Sequence, residues 1–126
     1  MNKKKYFDIK PLNRTFRIRE EAVEIYRYLE YKAVCDNISK YKLFDKIVEF
    51  SIRKILIDEL NEGIYEFNGK REIKGFTLSE EVNRALETFI CINNLKKGEA
   101  VELLVAVYAK YNLNKVELEK LPMYMI

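Results

Sequence analysis

The sequence predicts a mostly helical protein with a short antiparallel β-ribbon, and three observations support this fold class. Two segments sixty residues apart, 16–22 and 76–82, read FRIREEA and FTLSEEV. Each begins with the alternation of apolar and polar residues that is typical of a half-buried strand, and then changes to helical spacing. A second helical segment follows in both copies. The chain therefore repeats one strand–helix–helix unit, and the fold prediction follows from this repeat.

Residues 1–11 are predicted to form a basic, flexible arm. The chain carries a formal net charge of +3, but seven of its lysines and arginines lie among residues 1–19, where Asp8 is the single acidic residue. The remaining residues therefore carry a net negative charge. A clustered basic segment that leads into a small fold suits a polyanionic partner, and a solvated terminal tail is the alternative.

The first unit is predicted over residues 12–61. In its strand, Phe16 and Ile18 point to one face because side chains alternate along a strand. A helix with one apolar stripe follows from about residue 20 to residue 34. Ser39 is a candidate N-cap for a second helix that runs to the end of the unit.

The linker between the units is predicted over residues 62–70. It contains Asn68-Gly69, a strong two-residue turn signal between short runs of alternating residues. The sequence therefore predicts a small hairpin here, which makes the linker a defined connection rather than a floppy one.

The second unit is predicted over residues 71–112. Its strand spans about residues 72–78, and Ser79 caps the helix that follows. A last long helix is expected over about residues 97–111, and its predicted inward residues are Ala100, Val101, Leu104, Val105 and Tyr108. The C-terminal tail, residues 113–126, is predicted to begin with one more short helix.

The composition limits the classes of function. The chain has 126 residues, of which 48% are hydrophobic, with two prolines and four glycines. This is typical of a globular chain rather than a disordered one. No apolar run approaches the roughly 18 residues of a membrane-spanning helix, and the N-terminal lysine run lacks the apolar segment of a signal peptide. We therefore expect a cytoplasmic protein with no membrane contact.

The chain contains no histidine, which removes the commonest general base and metal ligand. No glycine-rich phosphate loop, serine elbow or Cys/His pair is present. Cys35 and Cys91 have no neighbouring cysteine, and we expect them to be buried free thiols. A disulfide between the two is the alternative. The sequence therefore predicts no enzyme activity, no metal site, no cofactor and no small-molecule partner.

The order of elements and the residues that carry it resemble the ribbon-helix-helix proteins, the group that includes the Arc, CopG and MetJ repressors. The resemblance covers about residues 12–57 and 71–111. It rests on TFRIREE at residue 15, FTLSEEV at residue 76 and NLKKG at residue 94, and the second copy is especially similar to the CopG type. The tandem arrangement looks like that of the conjugation accessory protein TraY, which carries two such units in one chain.

In this family two units pair through their strands into an antiparallel ribbon, which enters the DNA major groove. The resemblance implies an intramolecular pseudo-dimer of two fused units that binds double-stranded DNA sequence-specifically, as a transcriptional repressor. Further dimerisation on DNA is compatible with it. The same chemistry serves a plasmid relaxosome or centromere accessory protein, and the composition fits a mobile genetic element. The alternative is a protein–protein interaction module that kept the fold but not DNA reading.

The resemblance assigns the polar face of the strands to base reading. Arginine binds guanine through two hydrogen bonds, asparagine binds adenine in the same way, and threonine bonds either base or contacts a thymine methyl group. The expected base-reading residues are Asn13, Thr15, Arg17, Arg19 and Thr77. The alternative is a solvated polar face on an exposed edge.

The second strand offers a weaker reading face than the first. Its outward residues by alternation are Ile73, Gly75 and Thr77. Gly75 has no side chain, and Ile73 offers only apolar contact. We therefore expect unequal half-sites, with the first strand dominating.

The resemblance also implies phosphate contacts from the basic arm and from the first turns of the second helices, where backbone N–H groups bind anions. The expected phosphate-binding residues are Lys3, Lys4, Lys5, Ser39, Lys40, Lys96, Lys97 and Gly98. Plain helix capping and solvated lysines are the alternative.

Overall fold

The computed structural model describes residues 11–58, 65–122 and 124–125. The elements in chain order are β1 (Leu12–Arg19), α1 (Glu20–Cys35), α2 (Lys40–Asp58), β2 (Tyr65–Glu66), β3 (Arg71–Leu78), α3 (Glu80–Ile92), α4 (Lys97–Asn112), α5 (Lys115–Glu119) and β4 (Tyr124–Met125). The predicted mostly helical chain with a two-stranded antiparallel sheet is confirmed. Within the described residues no helix is long and apolar enough to cross a membrane.

β1 and β3 form a two-stranded antiparallel ribbon along their whole length, from Leu12 opposite Leu78 to Arg19 opposite Arg71. The buried side chains of one ribbon face are Phe16, Ile18, Phe76 and Leu78. Their burial fixes the register, because a slip of one residue in either strand would turn its apolar side chains toward solvent. The predicted inward orientation of Phe16 and Ile18 is confirmed.

The linker does not form the predicted hairpin. Gly69 does have a positive φ of 99° and lies at a bend of the chain, but the short strand β2 before it pairs with β4 near the C-terminus. β3 pairs with β1 instead. The physical reason is burial: the eight-residue pairing with β1 buries four apolar side chains, which a hairpin of two or three residues on each side cannot match.

α1 and α3 end in the same way. The second residue after each helix is an asparagine with a positive φ, 59° at Asn37 and 51° at Asn94, which asparagine tolerates better than most residues. The N–H groups of Ile38 and Leu95 then bond to carbonyl oxygens five residues earlier, at 2.8 and 3.1 Å. At the start of α3 the Ser79 hydroxyl accepts an N–H at 3.1 Å, so this predicted cap is confirmed.

The core lies between the ribbon and the pair α2 and α4. These two helices pack on each other, and the buried Ser51 hydroxyl of α2 donates to the carbonyl oxygen of Leu104 in α4 at 2.7 Å. α4 also packs on β1, and α2 packs on β3, so the second helix of each segment covers the strand of the other. The predicted inward residues Ala100, Val101, Leu104 and Val105 of α4 are buried, while Tyr108 is half-buried. In α2 the buried apolar residues include Leu43, Phe44 and Ile47.

Four aromatic rings fill the space beneath the ribbon. Phe44 of α2 stacks on Phe76 of β3, with ring centroids 4.4 Å apart. Tyr26 of α1 meets Phe76 edge-on at 4.8 Å, and Phe16 lies 5.9 Å from Phe76. Tilted and edge-on pairs of this kind add to the stabilisation from burial. Burial also raises the pKa of Tyr26, so its hydroxyl stays neutral.

The C-terminal segment is fastened to α1. Asn114 caps the short helix α5 by accepting the Glu117 N–H at 2.8 Å. The Glu117 carboxylate accepts hydrogen bonds from the Tyr28 hydroxyl and from Lys32 Nζ. The Tyr28 bond, with those from Asn114 and Lys32, lowers the pKa of Glu117 to about 2, while Glu117 raises the pKa of Tyr28 to about 12. The short helix predicted after residue 113 is confirmed.

Candidate nucleic-acid interface

The ribbon has one face turned away from the core, called here the outward face. Its residues by alternation are Asn13, Thr15, Arg17, Arg19, Arg71, Ile73, Gly75 and Thr77. Asn13, Thr15 and Arg17 are exposed as predicted, while Arg19 and Thr77 are half-buried. The five predicted base-reading residues therefore share one side of one ribbon.

Arg14 shows by contrast how a structural arginine is held in this fold. It lies on the inner face of β1 and donates to Asn83 Oδ1 at 2.7 Å. It also forms an ion pair with Glu87, and its guanidinium lies 4.8 Å from the centroid of the Phe16 ring. One of its guanidinium nitrogens is thus bonded within the protein, whereas the Arg17 side chain lies on the exposed face of the same strand.

One end of the outward face meets the start of α4. The register places Arg17 opposite Ile73 and Arg19 opposite Arg71. A shallow groove at this end is lined by residues from both strands and from the first turn of α4: Thr15, Phe16, Arg17, Arg71, Lys96, Lys97, Gly98 and Glu99. Two predicted base readers and three predicted phosphate binders therefore border one groove. We call Arg17, Arg19, Arg71, Lys96 and Lys97 the arginine end.

Gly98 brings α4 into direct contact with β1. A Cβ atom built on Gly98 would lie far closer to the Arg17 carbonyl oxygen than the 3.0 Å that real Cβ atoms keep. The first N–H groups of a helix have no partner inside the helix, and they carry the positive end of its dipole. Close packing at Gly98 thus sets this anion-attracting helix start beside the Arg17 side of the ribbon.

Glu102 connects α4 to the same end of the ribbon by a hydrogen bond. Its carboxylate accepts the backbone N–H of Arg19 at 2.7 Å, and only 8% of the residue is exposed. Burial raises the pKa of Glu102, an effect that the Arg19 N–H and the charges of Arg19 and Arg71 oppose. The sequence does not indicate a role for Glu102, because the residue falls within an apolar helical run. Only its contact with β1 shows that it connects the helix to the strand.

The opposite end of the outward face carries Asn13 and Thr77. The Thr77 hydroxyl donates to Asn13 Oδ1 at 3.0 Å, so the two side chains are positioned against each other. A second groove at this end is lined by Pro11, Tyr41, Lys42, Asp45, Thr77, Leu78 and Ser79. We call Asn13, Thr77, Tyr41 and Lys42 the asparagine end.

The first turn of α2 lies at the asparagine end, as the first turn of α4 lies at the arginine end. Ser39 accepts the N–H of Tyr41 at 3.3 Å, which is a capping contact, and Lys40 is exposed. Tyr41 and Lys42, rather than the predicted Ser39 and Lys40, line the groove. The sequence patterns did not indicate Arg71, Tyr41 and Lys42 as candidate interface residues. The strand register and the rotation of the helix decide which side chains reach the grooves.

Several other expectations concern residues away from this interface. Lys3, Lys4 and Lys5 lie outside the described residues. Cys35 and Cys91 are free but exposed, so their predicted burial is wrong: both lie near helix ends, on sides turned to solvent. Among the described residues no group of three or more His, Cys, Asp or Glu side chains could hold a metal ion. No known protein family, curated protein or solved structure matches this chain.

Proposed function

We propose that this chain is a cytoplasmic, sequence-specific double-stranded DNA-binding protein of the ribbon-helix-helix type, acting as a transcriptional repressor. One observation carries the proposal: an exposed ribbon face bears Arg17 directly beside the start of α4 with Lys96 and Lys97. A major groove admits a two-stranded ribbon, and a helix start binds phosphate. The arrangement therefore offers base and phosphate contacts to the same duplex.

The proposal includes an intramolecular pseudo-dimer of two units, which equivalent hydrogen bonds support. The Asp45 carboxylate of α2 accepts the Ser79 N–H of the second unit at 2.9 Å. The Glu102 carboxylate of α4 accepts the Arg19 N–H of the first unit at 2.7 Å. Each acceptor lies five residues after the first residue of its helix, and each donor directly precedes a first helix. The two copies thus engage each other reciprocally, as partners in a dimer do.

The chemistry of the outward face suits direct reading of bases. Arg17 offers the two parallel donors that match the O6 and N7 acceptors of guanine. Asn13 has the donor and acceptor that match adenine, and Thr15 can contact a thymine methyl group. An arginine bond to guanine is charge-assisted, which makes it stronger than a bond between neutral groups. Arg17 is therefore assigned the largest single contribution to specificity.

The exposed side chain of Ile73 favours a second candidate function, that of a protein–protein interaction module. This side chain is 69% exposed in the middle of the outward face, and exposed apolar groups are common at the centre of protein interfaces. The DNA proposal accommodates Ile73 as an apolar contact to a thymine methyl group. Binding experiments with DNA separate the two functions.

The deciding experiment is selection of binding sites from a random duplex pool at low and at moderate salt. The proposal predicts recovery of one short motif that survives moderate salt, with affinity that falls steeply as salt rises because phosphates release counterions. Arg84→Ala is the matched control, since Arg84 is an exposed arginine on α3 rather than on the ribbon; it should recover the same motif. Weak binding without a motif would favour the interaction module.

Arg17→Ala should relax specificity at one base position. Losing a bidentate contact to a base costs about 1–3 kcal/mol of discrimination, while the fold should be unaffected because the side chain is exposed. The measurement is a titration of the selected duplex and of its single-base variants, by fluorescence anisotropy. Unchanged affinity for the best site would remove Arg17 from the reading face.

A further inference from the structure

The centre of the ribbon is the pair formed by Thr15 and Gly75. These two residues are also sixty positions apart, as the two copies are, so the approximate symmetry of the ribbon passes through this pair. Positions at equal distance on either side are then equivalent. By this equivalence Arg17 corresponds to Thr77, and Asn13 corresponds to Ile73. A palindromic duplex would therefore meet unlike side chains in its two halves.

The arginine end is built from both copies. Arg17 and Arg19 come from β1, Arg71 comes from the start of β3, and two lysines come from the start of α4. Two acidic side chains of α4 near them are engaged within the protein: Glu99 accepts the Lys96 N–H at 3.3 Å, and buried Glu102 accepts the Arg19 N–H. Five cationic side chains thus lie at one end of the outward face.

The asparagine end differs in charge as well as in side-chain chemistry. Ser79 stands where the arginine end has Arg19, and Pro11 stands where it has Arg71. Among the described residues that line this groove, Lys42 is the single cation and Asp45 is an anion. With Lys40, the counterpart of Lys97, the described residues carry two lysines at this end, against three arginines and two lysines at the arginine end. The described part of the interface is therefore more positive at the arginine end.

We infer that the protein binds a non-palindromic duplex in one orientation, with a guanine-containing half-site at the arginine end and an A·T-containing half-site at the asparagine end. The inference rests on the proposed function and adds the class of site. A charge-assisted arginine–guanine contact is stronger than a neutral asparagine–adenine contact. Reversal of the chain on the duplex exchanges these contacts and is therefore disfavoured.

Two palindromes made from the selected site test the inequality of the half-sites without changing the protein. One duplicates the half-site that contains guanine, and the other duplicates the remaining half. We expect the first palindrome, which loses only the neutral asparagine–adenine contact, to lose less affinity than the second. The second should bind roughly 5- to 150-fold more weakly, the factor that corresponds to one bidentate base contact. Equal affinities for the two palindromes would overturn the inference.

Orientation is tested by DNA cleavage from two equivalent positions. Lys40 and Lys97 are the first residues of α2 and α4. In a chain with exposed Cys35 and Cys91 replaced by serine, Lys40→Cys and Lys97→Cys each receive a thiol-linked iron–EDTA probe. Each labelled protein is first shown to bind the selected duplex at low salt. We expect Lys97→Cys to cut one flank of the site and Lys40→Cys to cut the opposite flank.

The cleavage outcomes separate this inference from the proposed function. Cleavage at both flanks by both variants would show two orientations and overturn the inference, while DNA binding stands. Failure of the unmodified protein to bind any selected duplex would overturn the proposed function itself. Cleavage at single, opposite flanks supports both.

Discussion

Leu104→Asp is expected to leave the protein unfolded. Leu104 is fully buried in α4, the helix that packs on α2, β1 and α1. Removing a buried leucine side chain costs about 2–5 kcal/mol, and burying an unpaired carboxylate in its place adds several kcal/mol more. A domain has only about 5–15 kcal/mol of total stability. The remaining core contacts cannot compensate for this loss of stability, because α4 packs on most of the other core elements.

The measurement is thermal unfolding followed by far-ultraviolet circular dichroism, with size-exclusion chromatography of the same sample. Ala85→Asp is the control, because it introduces the same charge at an exposed position of α3. This control should lose no more than about 1 kcal/mol, as surface substitutions usually do. A cooperative transition near the wild-type temperature for Leu104→Asp would mean that Leu104 is not a core residue.

Local periodicity was enough to predict the strands β1 and β3 and the helices of this chain. Alternation placed Phe16 and Ile18 on the buried face of β1, and helical spacing placed Leu104 in the core of α4. The Ser79 cap depends on residues next to it in sequence. Such features are predictable because the interactions that decide them span only a few residues.

The partner of each strand was not predictable from local signals. Asn68-Gly69 indicates a hairpin, and Gly69 does have a positive φ at a bend of the chain, yet β2 pairs with the C-terminal strand β4. Pairing of β1 with β3 was expected only from the family resemblance. Strand pairing depends on which apolar faces are buried together, and that is decided by segments far apart in the chain.

Part of the candidate interface was predictable, because side-chain alternation along a strand depends only on neighbouring residues. Alternation alone predicts that Asn13, Thr15 and Arg17 are exposed, whatever strand β1 pairs with. Arg71 could not be assigned to the interface, because its position opposite Arg19 follows only from the register of β1 and β3. Glu102 was likewise hidden in an apolar helical run.

Gly98→Ala is expected to lower the free energy of unfolding by about 3 kcal/mol. The added methyl group would collide with the Arg17 carbonyl oxygen. Because this oxygen belongs to the paired backbone of β1, it cannot rotate away as a flexible side chain would. Over-packing typically costs about 1–3 kcal/mol, and a collision with backbone falls at the upper end. The loss exceeds the helix-propensity gain of about 1 kcal/mol from replacing glycine with alanine.

Gly75→Ala is the matched control, because a Cβ atom at Gly75 meets nothing within 4 Å. Its stability should be unchanged or rise by about 0.4–1 kcal/mol, since alanine restricts the unfolded chain more than glycine does. Urea unfolding of the two variants beside the wild type gives both differences. If Gly98→Ala were as stable as Gly75→Ala, α4 would not be packed on β1 at residue 17. The helix start would then lose its fixed place beside the ribbon, and with it the geometric basis for phosphate contacts from Lys96 and Lys97.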